Sequence, residues 1–345
     1  MLGSNLQSRE RTVLSVGKRD VALNKVAAAY LAYFAYIDDA LETVQASDFV
    51  TLLASIPAGA ANGPWTLRWG PAANDGILGY VAQGADGSYA LAFRGTDVDG
   101  SISGSFQNVL ADANGFFLIP WLYPQQSGAP LQISAGINGA LALAIGMTDP
   151  TTSISLLDYL RGVAKAGTLD LIVTGHSLGG ALAIGATAWL HNQLPKVGTL
   201  SFSLWPHTFA APTMWNAGFA TNIAQTFTCY AAVNGNDIVP MGWADLNGVL
   251  ATFPSPGPNL YDTDFWLYWT IDGVSKAIPT YTAIVPSDAD TFTVTPVANE
   301  SWTVEAGTMH SMQFQYFPHA TGTAAPPLPG TTRTGLARTR VATPT

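Results

Sequence analysis

Ser177 lies in Gly175-His176-Ser177-Leu178-Gly179, between the apolar run Leu169–Thr174 and a stretch of small residues that begins at Gly180. Glycines flanking a serine at a strand-to-helix junction let the backbone turn sharply, which projects the hydroxyl from the carboxyl edge of a sheet. The chemistry such a hydroxyl can do is nucleophilic attack on an acyl carbon, with the Leu178 N–H at the helix start facing the developing oxyanion. A serine hydroxyl is a weak nucleophile near neutral pH. It therefore needs a base to take its proton and a carboxylate to orient that base.

The chain has five histidines to supply the base. His176 sits inside the turn, His191 falls toward the end of the following helical stretch, and His207 closes an apolar run. In a doubly wound sheet with this kind of turn the chain order is serine, acid, histidine, which leaves His310 and His319. His319 is enclosed by Pro318 and a Pro-rich stretch, whereas His310 opens His310-Ser311-Met312-Gln313-Phe314-Gln315-Tyr316, read as a loop-to-helix entry. His310 is the expected base. Among the carboxylates between Ser177 and His310, Asp237 follows the apolar segment Thr226–Val233 and precedes Ile238-Val239-Pro240. Loops at the carboxyl ends of parallel strands are where such sheets place their chemistry, so Asp237 is the expected acid, against the plainer reading of an Asx-turn after Gly235-Asn236.

A second oxyanion donor is expected upstream. Leu91-Ala92-Phe93-Arg94-Gly95-Thr96-Asp97 puts a polar loop directly after an apolar strand, and the Thr96 N–H, with its hydroxyl, is the natural partner for Leu178. Arg94, so close to a buried strand, calls for a carboxylate such as Asp97 or Asp112. Residues 98–126 then carry Phe106, Phe116, Phe117 and Trp121 among Gly and Ser residues, too apolar for an ordinary exposed loop. Two readings stand for this segment: completion of the core, or a movable cover and acyl-binding wall.

Positioning these residues requires alternating strands and helices. Strands are predicted at Ile77–Gln83, Tyr89–Phe93, Leu169–Thr174, Leu200–Leu204 and Thr226–Val233, and helices at Val21–Ala46, Asn138–Gly146, Ser155–Ala166 and Gly180–Leu194. The alternation points to an α/β protein with a mostly parallel sheet covered by helices. Tyr30, Tyr33 and Tyr36 form a stripe that reads as core packing. Residues 240–300 read as Pro- and Trp-rich with short β-like pieces.

Composition narrows the partners. Charged residues are only 11% and hydrophobic residues 48%, the reverse of what keeps a chain disordered. A net charge of −9 with no basic run excludes a nucleic-acid footprint. The longest apolar run, Val26–Ile37, is far short of the roughly 20 residues of a spanning helix. Cys229 is the single cysteine and lies in an apolar segment, which reads as a buried structural thiol. No secretory signal is recognisable near Met1, and the compartment is left open.

Taken together, Phe93-Arg94-Gly95-Thr96, Gly175-His176-Ser177-Leu178-Gly179-Gly180, Phe209-Ala210-Ala211-Pro212 with Asn216, and the Asn234–Pro240 loop resemble, in order, motifs of the class 3 lipase family, the α/β-hydrolases typified by fungal triacylglycerol lipases. The resemblance covers roughly residues 75–320. It implies an α/β-hydrolase fold and ester hydrolysis without metal or cofactor. It also implies a Ser177, Asp237 and His310 triad, Thr96 and Leu178 as oxyanion donors, and a lid after Thr96. The chain departs from the pattern at Ser134-Ala135-Gly136-Ile137, which lacks the family's histidine, and at Ala210 and Trp215, where glycines are usual. The expected organisation is an N-terminal helical extension over 1–70, an α/β-hydrolase domain over 71–320 and a Pro/Thr-rich tail over 321–345. The expected activity is that of a serine carboxylester hydrolase acting on acylglycerols or other lipid esters at a lipid–water interface. Two alternatives are an esterase or acyltransferase for short or aromatic acyl esters, and a non-catalytic hydrolase-like binding module.

Overall fold

A computed structural model of the chain describes residues 17–37, 46–96, 117–123, 129–194, 202–252, 280–295 and 302–329. A seven-stranded sheet organises them. It comprises β1 (Thr66–Asn74), β2 (Ile77–Gln83), β3 (Tyr89–Phe93), β6 (Leu169–His176), β7 (Phe202–Phe209), β8 (Tyr230–Asn234) and β9 (Asp288–Phe292), in spatial order β1-β2-β3-β6-β7-β8-β9. β1, β2 and β3 form an antiparallel meander; from β3 to β9 every pairing is parallel. β4 (Leu118–Pro120) and β5 (Gln132–Ser134) form a separate two-stranded ribbon. The mostly parallel α/β sheet is the expected one, with two strands added: β1, whose Gly70-Pro71 interrupts any apolar run, and β9, whose Asp-Ala-Asp-Thr-Phe reads as polar.

Helices cover both faces because the central strands are apolar on both sides. Val81, Leu91, Phe93, Leu171 and Val173 face a core shared with α3 (Ala135–Ile145), α4 (Leu156–Ala166) and α5 (Leu178–Gln193). Tyr80, Ala82, Ala90, Ala92 and Ile172 point the other way, into a core shared with α1 (Gly17–Phe34) and α2 (Ala46–Ser55). The period-two alternation of a strand produces both layers. α4 shows the amphipathic pattern plainly: Leu156, Leu160 and Ala164 are buried at intervals of four, and the Ser155 hydroxyl caps the helix by accepting from Asp158 N. α1 lies on the sheet through Ala27, Ala28, Ala29 and Ala32, all without exposed surface; alanine side chains allow a close approach.

Several boundaries differ from expectation, each for a local reason. Thr226 ends a helix, α6 (Ala217–Thr226), so β8 starts only at Tyr230. The preceding strand, β7, runs on through Pro206 and His207 to Phe209, further than its apolar run. The remaining described helices are α7 (Ile238–Met241), α8 (Leu246–Ala251), α9 (Trp302–His310) and α10 (Phe317–Thr321), with a π-helical turn at Met312–Tyr316. Among the described residues, no helix is long and apolar enough to cross a membrane.

Candidate active site

β6 sits in the middle of the sheet, between β3 and β7, and delivers Ser177 at its carboxyl end. Ser177 adopts φ 59°, ψ −130°, a conformation that side-chain-bearing residues rarely take. The two glycines make the turn possible. A Cβ on Gly175 would stand 2.3 Å from the Gly179 carbonyl, and one on Gly179 would stand 2.4 Å from Phe93 O. The turn is pinned by Ser177 N donating to Phe209 O at 2.9 Å and Gly180 N donating to Ser177 O at 2.9 Å. Leu178 is the first helical residue, so its N–H has no acceptor within the helix. Ala210, next to the carbonyl that pins Ser177, has φ 53°, a left-handed conformation held here by a residue with a side chain.

The segment after β3 runs directly beside this turn. A Cβ on Gly95 would meet Ser177 Cβ at 3.0 Å and His176 O at 2.6 Å, so the chain slides past the serine only because residue 95 lacks a side chain. Thr96 follows immediately, and its Oγ1 is buried without a hydrogen-bond partner among the described residues. A buried hydroxyl without a partner costs about 1–3 kcal/mol. Arg94 is 2% exposed and donates to Gly76 O at 3.3 Å; Asp97 and Asp112 lie outside the described residues.

Asp237 and His310 come together across 73 residues of chain. Asp237 has no exposed surface, and its Oδ2 accepts from His310 Nδ1 at 2.8 Å. The same oxygen accepts from Tyr316 OH at 2.6 Å, while Oδ1 accepts from Val239 N at 2.9 Å. The Asx-turn and the histidine partnership are thus both realised, one on each oxygen. Burial and the neighbouring Asp237 push the Tyr316 phenol well above its ordinary pKa, so it stays a donor. Asn234 joins the two halves of the site: its Nδ2 donates to Met309 O at 3.1 Å and its Oδ1 accepts from Asn236 N and Val294 N, each at 3.2 Å.

His310 is the last residue of α9 rather than the opening of a helix. The Ser311 side chain starts the following π-helical turn by accepting from Phe314 N, and this break in the helix turns His310 toward the sheet edge. Its neighbour across the turn is His176, whose Nε2 lies 2.8 Å from His310 O and whose ring centroid is 4.5 Å from that of His310. No hydrogen bond joins Ser177 Oγ to His310 among the described residues. Such bonds often tighten only once substrate is bound.

The remaining histidines have other occupations. His319 meets a different carboxylate, Asp290, at 2.8 Å and stacks on Phe292; His207 is fully buried against Tyr230; His191 packs on Phe202 and Phe227. Of the aromatic wall residues, Phe106 and Phe116 lie outside the described residues. Phe117 is 63% exposed, whereas Trp121 is 5% exposed and packs edge-on against Tyr123 and Phe219 in the core. Among the described residues, no group of three His, Cys, Asp or Glu side chains is arranged to hold a metal ion. Sequence reading missed Tyr316, Asn234 and Tyr36. Tyr316 is six residues past His310, a spacing that puts the two on different faces of a regular helix; the break at Ser311 and the π-helical turn after it bring both side chains to Asp237.

A central mostly parallel sheet, a serine at a strained strand-to-helix turn and helices on both faces make this an α/β-hydrolase fold. Residues 90–245 match the family described as Lipase (class 3), so this stretch of the chain is class 3 lipase-like. No curated protein matches the chain. Among solved structures, M37 lipase is 22% identical with a TM-score of 0.69, over 86% of this chain and 92% of that one. Rhizomucor miehei lipase in its propeptide complex is 20% identical with a TM-score of 0.40, over 66% of this chain and 63% of that one. A triacylglycerol lipase whose catalytic centre is formed by a serine protease triad is 21% identical with a TM-score of 0.42, over 65% and 73%. The family match supports a lipase-type hydrolase.

Proposed function

We propose that the protein is a serine carboxylester hydrolase that cleaves acylglycerols or related lipid esters through an acyl-enzyme. The observation that carries this reading is the Asp237–His310 pair, at 2.8 Å with the carboxylate fully buried, at the edge where Ser177 is held in its strained turn. Asp237 holds Nδ1–H of His310, which makes Nε2 the basic nitrogen. Ser177 Oγ attacks the ester carbonyl as His310 Nε2 takes its proton, and a C–O bond to the serine forms. The tetrahedral oxyanion is met by the Leu178 and Thr96 N–H groups and by the Thr96 hydroxyl, whose lack of an internal partner suits an acceptor that arrives with the reaction. His310 then gives the proton to the departing alcohol as its C–O bond breaks. Water, deprotonated by the same nitrogen, attacks the acyl carbon, and the acid leaves as Ser177 regains its proton.

The lipid preference is supported by the apolar residues Phe117 and Leu122, 63% and 72% exposed, which flank the β4 segment. A fluorophosphonate probe followed by peptide mapping tests the nucleophile: label on Ser177 is expected, and its absence would sink the assignment. Hydrolysis of a chain-length series of p-nitrophenyl and glycerol esters, with and without an emulsion, tests the substrate. Turnover confined to short monomeric esters would favour an esterase or acyltransferase, and no turnover or labelling a binding module.

A further inference from the structure

Two side chains beside the nucleophile have no part in the steps above. His176 precedes Ser177 and is 4% exposed. Its Nε2 is 2.8 Å from His310 O and its Nδ1 is 2.8 Å from Tyr36 OH. A carbonyl can only accept, so Nε2 carries the hydrogen; Nδ1 of a neutral ring is then the acceptor and Tyr36 OH the donor. One tautomer satisfies both bonds. Tyr36 in turn occupies a built seat: its hydroxyl stands 2.2 Å from where a Gly95 Cβ would be, so the missing side chain that lets the oxyanion segment pass Ser177 also admits this phenol.

We propose that His176, locked by Tyr36, is a positioning residue that fixes the main chain of His310 and so aims its imidazole. The proposal rests on the reading of His310 as the base. β6 carries the nucleophile and, one residue earlier, the clamp on the base, so the separation of the two is set through His176 rather than by packing alone. The clamp must also remain uncharged. The His176 and His310 rings are 4.5 Å apart at 34°, and a cation on His176 would oppose the imidazolium that forms on His310 during turnover. The other titratable groups facing His176 are the Tyr36 and Tyr316 phenols, the latter with its ring 5.6 Å away, and beyond His310 the Asp237 carboxylate. Burial, and after it the neighbouring His310, hold the His176 pKa well below its ordinary value.

The test uses the full-length chain, with Tyr36→Phe, His176→Gln and His176→Phe assayed on a soluble p-nitrophenyl ester. Displacing a catalytic group by a fraction of an ångström costs roughly tenfold or more in rate. Tyr36→Phe should lower kcat by about tenfold and leave KM within about twofold. It should also move the acid limb of kcat/KM to higher pH, because it removes a bond that favours neutral His176. His176→Gln keeps an N–H for the His310 carbonyl and should recover most of the kcat that His176→Phe loses. A Tyr36→Phe protein with unchanged kcat and pH profile, or equal loss in Gln and Phe variants that melt like wild type, would overturn the proposal while Ser177 labelling stands. Wild-type protein that fails to label at Ser177 would overturn this proposal together with the triad.

Discussion

Tyr316 donates to the same carboxylate oxygen of Asp237 that His310 meets, at 2.6 Å, so one buried oxygen anchors both a ring nitrogen and a phenol. A hydrogen bond to a charged group is worth about 1.5–3 kcal/mol. Tyr316→Phe should therefore destabilise the protein by about 2 kcal/mol in urea unfolding and lower kcat. The Asn234 N–H, which donates to the Tyr316 hydroxyl oxygen at 3.0 Å, would lose its acceptor as well. Unchanged stability in this variant would show that the Asp237 carboxylate is held adequately by Val239 and His310 alone.

The backbone at Ser177 predicts different stabilities for two deletions of the same hydroxyl. Positive-φ strain of this kind is worth about 1–3 kcal/mol, and the greater freedom of glycine in the unfolded chain takes back about 0.5–1 kcal/mol. Ser177→Ala should abolish ester hydrolysis with little change in stability. Ser177→Gly should abolish it equally and be about 1 kcal/mol more stable than the alanine variant. Equal melting temperatures for the two would mean that the turn is not strained.

Asp290 defines an acid limb of stability. Its carboxylate accepts from His319 Nε2 at 2.8 Å, Tyr230 OH at 2.8 Å and Lys25 Nζ at 3.1 Å. The His319 bond first, then the Tyr230 and Lys25 bonds, hold its pKa below 3.8 against the opposing effect of burial. A carboxylate depressed in the folded state contributes stability that is complete above its unfolded pKa and is lost as pH falls through the folded one. Urea midpoints should thus fall as pH drops below about 3.8, and Asp290→Asn should be less stable at neutral pH with a flatter profile in that window.

His176 works in a different window with the same sign. Its folded pKa lies well below 6.5, so the unfolded chain takes up a proton that the folded one refuses. Stability should begin to fall as pH drops below about 6.5, well before the Asp290 range, and His176→Gln should remove this earlier decline. A pH-stability curve that is flat between about 6.5 and 4 in wild type would contradict a buried neutral imidazole.

Cys229 is 2% exposed, and burial pushes its thiol up to about 12. Iodoacetamide at pH 8 should leave it unmodified in the folded protein and label it at the rate of unfolding. Rapid modification without denaturant would place the segment entering β8 outside the stable core.

The fold was legible where one period dominates. Ile77–Gln83 and Tyr89–Phe93 read as strands from continuous apolar runs bounded by turn residues, and the structure places strands at those residues. Strand β9 was not, because Asp288 and Asp290 interrupt any apolar run on this edge strand, Asp290 serving as a polar partner to Tyr230. Ser177, Asp237 and His310 could be singled out because charges and histidines are few. Their supporting residues could not. Tyr36 repeats the spacing of Tyr30 and Tyr33, both of which pack against Phe317 in the core, and only tertiary contact with His176 separates it from them. Tyr316 depends on the phase shift of a π-helical turn, for which Ser311-Met312-Gln313-Phe314 carries no periodic signal.

The lodging of α1 between the sheet and α10 has a consequence for biosynthesis. Tyr33 OH closes on Pro326 O across 293 residues, and Tyr30 meets Phe317 edge-on at 4.7 Å. At about 5–20 residues per second, α1 leaves the ribosome roughly 15–60 s before the segment that completes its berth. During that interval the alanine-rich face of α1 lacks the cover that the C-terminal segment supplies. His310 and Tyr316 arrive in the segment that shuts the cleft over α1. Ser177, Asp237 and His310 therefore come together only in a late event, and a partly synthesised chain holds Ser177 without His310.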